Sequence, residues 1–145
     1  MSTALPWSQD FAVGHETIDQ QHRHMVDCIN EIEGTIRVQD GARVPELLKA
    51  LRLAAEEHFR EENAILWQIL TGTYKRRSPK ALPRHSGMIT DAVFEQHTAD
   101  HAALLARFDN IAREPLASII DSLKSWFADH ATDQDARLRS ILRTM

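Results

Sequence analysis

Residues 97–111 read HTADHAALLARFDNI, and their spacing decides the fold. Leu104, Phe108 and Ile111 step by fours and threes, the period at which side chains share one face of an α-helix. Continued backwards, the same stripe passes through His101, His97 and Phe94. Two imidazoles at i and i+4 therefore stand where the helix must turn towards a core. A soluble chain places them there either as polar oddities of the interior or because a site requires them.

The same period extends over most of the chain. Ile18, Met25, Ile29, Ile32 and Ile36 mark one face of a helix over about 17–38. After the turn QDGARVP, Pro45 suits the first position of a second helix, where a missing N–H costs nothing. That helix carries Leu48, Leu51, Ala55, Ile65, Leu66 and Ile69 inward, and Gly72 supplies its stop. The third helix starts near Ser86 or Thr90 and ends near Arg113; Pro115 opens a fourth, with Ile119, Leu123, Trp126, Leu138 and Ile141 inside. No segment alternates at period two, and no repeat or low-complexity stretch is present. The expected fold is all-α, an up-down-up-down four-helix bundle formed by a single domain over 1–145, with an entry loop over about 1–16.

Composition narrows the function. The 145 residues carry a formal charge of −4 and one cysteine, Cys28. Nucleic-acid binding is not expected from that charge, and neither an intrachain disulfide nor a cysteine-based zinc cluster can form. Cys28 reads as a small, half-buried hydrophobe. No apolar run reaches the ~18 residues of a membrane span and no leader segment is evident, so a cytoplasmic protein without membrane contact is expected. Between Gln68 and Thr90 there is no acid, while Lys75, Arg76, Arg77, Lys80 and Arg84 supply five positive charges. This inserted loop, about 72–85, is either a solvated connection or a dock for an acidic protein partner or phosphate.

Histidine is the anomaly: the chain has eight. His22 interrupts the inner stripe of the first helix, His58 and Glu62 share that of the second, His97 and His101 that of the third, and His130 follows Trp126 on the fourth, with Asp135 five residues further. Buried carboxylates demand a compensating positive charge. No Lys or Arg lies on these stripes, so a metal centre is the natural answer. Imidazole suits iron, zinc, copper and nickel, and carboxylates can bridge two cations. Seven ligands exceed what one ion uses, and without thiolates two irons fit better than structural zinc. His24 lies about 200° around the helix from His22 and faces away. His15 belongs to the entry loop, and His85 has no partner one turn away; all three read as surface residues.

These residues resemble the hemerythrins, in particular the single-domain bacterial branch. Trp7 and FAVGHETIDQQH look like the family's opening signature, HFREE its second motif, HTADH its histidine pair, and WFADHATDQD its last. The resemblance implies two iron ions, Fe2+ or Fe3+, joined by an oxo or hydroxo bridge. It assigns His97, His101 and His130 to one iron and His22 and His58 to the other, which keeps an open position, with Glu62 and Asp135 bridging. Its implied activity is reversible dioxygen binding for storage, delivery or sensing. Five neutral imidazoles, against the carboxylate-rich ligand sets of oxygen-activating bundles, favour a carrier or sensor over an oxidase. The alternatives are an enzyme reducing nitric oxide or peroxide at the same irons, and a metal-dependent interaction module acting through the basic loop. With no output domain attached, sensing would pass through a separate protein.

Met25, Phe59, Trp126 and Ala131 are expected to line the oxygen pocket. Ala131 stands where the family more often has a bulky aliphatic and Met25 where it usually has Leu; the smaller alanine is expected to speed autoxidation. Glu62 and His97 are separated by 35 positions, more than is usual in the family. His130 and Asp135 are also awkward: five residues advance about 140° on a regular helix. Asp135 must reach in from the edge, or the helix must be locally overwound or π-bulged.

Overall fold

The computed structural model describes residues 5–73 and 90–144, except for the side chains of residues 133–135 and 144. The basic loop with Lys75, Arg76, Arg77 and Lys80, together with His85, lies outside the described residues. Four rods make the fold: α1 (Glu16–Arg37), α2 (Val44–Thr71), α3 (Asp91–Ile111), and a fourth composed of α4 (Leu116–Ala128), a π-helical turn (Asp129–Gln134) and α5 (Asp135–Thr144). No strand occurs among the described residues.

The helix ends follow local chemistry. His15 caps α1 through Nδ1, which accepts from the Ile18 amide at 3.4 Å. Pro45 sits in the first turn of α2, and Gly72 closes that helix in the left-handed region at φ 75°. Thr90 caps α3, its hydroxyl accepting from Val93 N at 3.2 Å, and Ser86 lies outside the described residues.

Each rod packs on two neighbours, α1 on α2 and α4, α3 on α2 and α4. The cross-links show that neighbours are antiparallel. Arg52, early in α2, reaches Asp109, late in α3, while Glu62 reaches back to His97. Between α1 and the fourth rod, Glu33 pairs with Lys124 and His22 approaches His130. The result is the expected up-down-up-down bundle.

The apolar interior is split in two. The larger cluster includes Met25, Leu51, Phe59, Leu104, Phe108, Leu123, Trp126 and Ala131. The smaller gathers Val13, Ile18, Ile65, Leu66, Leu138 and Ile141, with Phe94 against it. On every rod the break falls at the same level: His22 lies between Ile18 and Met25, Glu62 between Phe59 and Ile65, His97 and His101 between Phe94 and Leu104, His130 between Trp126 and Leu138. A polar layer thus crosses a core whose large side chains each contribute about 1.5–3 kcal/mol by burial.

Candidate metal centre

Six of the seven residues expected as ligands meet in that layer, and all six are buried: His22, His58 and Glu62 completely, His97, His101 and His130 to within 4%. Glu62 is the hub. Its Oε1 faces Nε2 of His58 at 2.5 Å, of His130 at 3.1 Å and of His22 at 3.8 Å. Its Oε2 faces Nε2 of His101 at 3.1 Å and of His97 at 3.2 Å. One carboxylate therefore divides five imidazoles into two donor groups, one for each oxygen. His130 stands with His22 and His58, whereas the resemblance assigns it to the iron of His97 and His101. The side chain of the seventh residue, Asp135, lies outside the described residues.

The outer edges of three of the five rings are anchored. Nδ1 of His22 lies 2.5 Å from the Phe11 carbonyl, an oxygen that can only accept, so the ring proton must sit on Nδ1. His58 likewise donates from Nδ1 to Gln21 Oε1 at 2.9 Å, and His101 from Nδ1 to Asn63 Oδ1 at 2.8 Å. Fixing the proton outside leaves Nε2 as a bare lone pair inside, the arrangement characteristic of metal-bound histidine. These inward atoms are close: His22 and His58 Nε2 are 2.9 Å apart, His58 and His130 Nε2 3.0 Å.

Electrostatics sharpens the point. Burial lowers the pKa of His58 and of His101, which keeps both rings neutral at pH 7. Burial opposes charge on Glu62 too, but the surrounding imidazoles, His58 and His130 foremost, outweigh it and hold the carboxyl well below its usual range. Neutral rings and an ionised carboxylate are conflicting demands in a core without a cation, because acceptors then face acceptors. Cations between the two groups satisfy both. The donor set fits such ions.

Packing closes the site. Phe59 stacks on His101, centroids 4.4 Å apart at 11°, and meets His130 edge-on at 4.9 Å. Met25, Trp126 and Ala131 lie buried in the larger cluster, and Trp126 Nε1 donates to the Leu104 carbonyl at 2.9 Å. The π-helical turn spans the interval between His130 and Asp135. Its hydrogen bonds run from i to i+5, the register that a five-residue spacing requires, so of the alternatives the bulge is the one realised. His24 is exposed and His15 is the α1 cap, consistent with surface roles.

Sequence reasoning missed the groups that aim the ligands. Gln21 and Asn63 each sit beside a ligand in the chain, yet serve a ring on another helix. A polar residue flanking a ligand at the inner face was the available signal. The Phe11 carbonyl leaves no trace in side-chain pattern. Also missed was Glu33, buried at the far end of α1 and bound to Lys124 Nζ at 2.9 Å.

An all-helical bundle with a buried histidine–carboxylate metal site is thus the class of protein the fold defines. The chain belongs to the hemerythrin family: the hemerythrin HHE cation binding domain matches residues 13–142. Neither a curated protein nor a solved structure matches it.

Proposed function

We propose that the protein binds dioxygen reversibly at a pair of iron ions held in this layer, as an oxygen store, carrier or sensor of the bacterial hemerythrin kind. The observation that carries the reading is the division of five Nε2 atoms between the two oxygens of Glu62. A carboxylate with donor groups at both oxygens is placed as a group that would bridge two ions, which supports a pair over a single ion. When bound, the ion pair would supply the two electrons that dioxygen takes up and returns.

The chain's own residues favour return over onward chemistry. The ligands are mostly neutral imidazoles, and the acceptors behind them are neutral as well: a backbone carbonyl behind His22 and amides behind His58 and His101. Beyond the carboxylates of the ligand set, neither layer adds the negative charge that stabilises high-valent iron. Phe59, Met25, Trp126 and Ala131 keep the layer dry, which limits proton delivery and loss of a bound anion. Ala131→Ile, by narrowing this wall, is expected to slow autoxidation.

Stopped-flow mixing of the anaerobic, iron-loaded protein with dioxygen tests the reading. A coloured adduct that decays when dioxygen is removed, with recovery of the ferrous protein, supports it. Rapid oxidation with multiple turnovers of peroxide or nitric oxide would make the protein an enzyme instead.

A further inference from the structure

A line of aromatic rings connects the surface to the metal layer. Trp7, half-buried in the entry segment, meets Phe11 edge-to-face, centroids 5.8 Å apart at 69°. Phe11 meets Phe127 at 5.0 Å and 77°, and Phe127 meets His22 at 5.7 Å and 88°. Each step lies within the range of direct aromatic contact. Phe11, Phe127 and His22 are buried, so the series runs from a ring that solvent reaches to a ring expected to hold iron. Among the described residues, the five inward histidines have one other aromatic partner that is not a histidine, the buried Phe59.

The outer end of the series is held in place. Leu5 N donates to Asn30 Oδ1 at 2.8 Å, and Asn30 Nδ2 donates to the Leu5 carbonyl at 2.9 Å. Beyond Phe11, Asp19 accepts from the Val13 amide at 2.7 Å. Packing alone does not explain the indole, because its Nε1–H is buried without an acceptor. Phenylalanine or leucine would fill the space without that penalty. Over the ring lies the guanidinium of the exposed Arg23, 4.6 Å from the centroid. The surface terminus is therefore a π face beside a positive charge.

We infer that Trp7 and Arg23 form an electron-entry port for the metal layer, and that the donor is a reduced flavin nucleotide. This rests on the two-iron reading, in which a centre lost to autoxidation has to be returned to the ferrous state. The inward histidines are too deeply buried for a bulky reductant to touch them. Contacting π systems carry a tunnelling electron better than saturated side chains, because their delocalised orbitals lower the barrier. The planar flavin suits the indole, and its phosphate suits the guanidinium. One reduced flavin releases two electrons and two protons and leaves as the oxidised flavin; the electrons convert two ferric ions to ferrous.

Anaerobic stopped-flow reduction of the diferric protein by reduced flavin mononucleotide, beside reduced lumiflavin (the same ring without phosphate), tests the port. Trp7→Leu should slow both donors severalfold and Trp7→Phe less, with the midpoint potential of the centre unchanged. Arg23→Glu should slow the mononucleotide about tenfold at low salt and leave lumiflavin within about twofold. Added salt should shrink the wild-type preference for the mononucleotide. Wild-type rates in Trp7→Leu, rates that fall only in step with a shifted potential, or equal slowing of both flavins by Arg23→Glu overturn the assignment. If Trp7→Leu does not fold, wild-type rates in Phe127→Leu overturn it instead. Protein that takes up no iron overturns the two-metal reading and the port with it, whereas iron-loaded protein indifferent to these substitutions overturns the port alone.

Discussion

Replacing Gln21 by Met separates metal binding from folding. In the native structure Gln21 Oε1 accepts the His58 Nδ1 proton at 2.9 Å, across from α1 to α2. Methionine keeps the length of the side chain and removes the acceptor. Without metal, the His58 proton can move to Nε2 and face Glu62 Oε1, 2.5 Å away, so little is lost. A half-exposed hydrogen bond of this kind contributes about 0.5–1.5 kcal/mol, and the tautomer change recovers part of it. The metal-free protein should therefore melt within about 3 °C of wild type, given roughly 2–4 °C per kcal/mol for a chain of this size. With metal the escape is closed: Nε2 must present its lone pair, Nδ1 must keep the proton, and His58 is fully buried. Loss of such a partner weakens metal binding about 10- to 100-fold, or roughly 1.4–2.7 kcal/mol. Gln21→Ala should do less harm, because the space it opens admits a water to take the proton. Gln21→Glu should restore binding. Calorimetric titration with Co(II) beside thermal melts of the metal-free variants reads both quantities. Undiminished affinity in Gln21→Met, or a stability loss as large as the affinity loss, would refute the reasoning.

Other consequences concern the scaffold and the wall of the site. Lys124→Met takes the ammonium 2.9 Å from the buried Glu33 carboxylate away, while the more exposed Arg37 stands at 3.5 Å, and should cost about 1–3 kcal/mol in chemical denaturation. Glu33→Leu combined with Lys124→Met should recover most of that loss, and a double variant no better than the single would contradict the account. The Asp109 carboxyl is held below its usual 3.8 chiefly by the hydrogen bond from Arg52. A depressed carboxyl stabilises the fold above its unfolded pKa, and that contribution disappears as pH falls through the folded value. Arg52→Met should therefore bring the Asp109 titration, followed by NMR, up towards 3.8; an unmoved titration would sink the assignment. Gly72→Ala, forced into the left-handed region with open space around its added methyl, should destabilise the metal-free protein by about 1 kcal/mol from backbone conformation alone. An unaltered denaturation midpoint would contradict that.

Features that depend on residues close in the chain were legible in the sequence. The inner stripes, Pro45 at the start of α2, Gly72 at its end and Thr90 before α3 all follow from local geometry, and the structure places them as expected. The inward-facing histidines and Glu62 were legible for the same reason, because helical period alone puts each on the inner face of its own helix. The π-helical turn was legible only as one alternative, since a five-residue gap tells that a regular helix fails and not how it yields. What could not be read depends on which helix approaches which. Gln21 serves His58, Asn63 serves His101, and Arg139 reaches back to residues 10 and 12, pairings set by packing between distant segments. Glu33 escaped because its position on α1 looks like solvent edge until Lys124 arrives from α4 to neutralise it. The grouping of His130 with His22 and His58 is likewise a property of the assembled layer.

Two cations per chain, held by one shared carboxylate, is the claim on which the function rests. Iron analysis of protein reconstituted anaerobically with Fe(II), combined with Mössbauer spectroscopy, tests it most directly. The account predicts two irons per chain in two distinct environments, coupled once oxidised, and fewer than two irons retained per chain in Glu62→Gln. A single uncoupled iron in wild type, or two irons held as tightly in Glu62→Gln as in wild type, would contradict it.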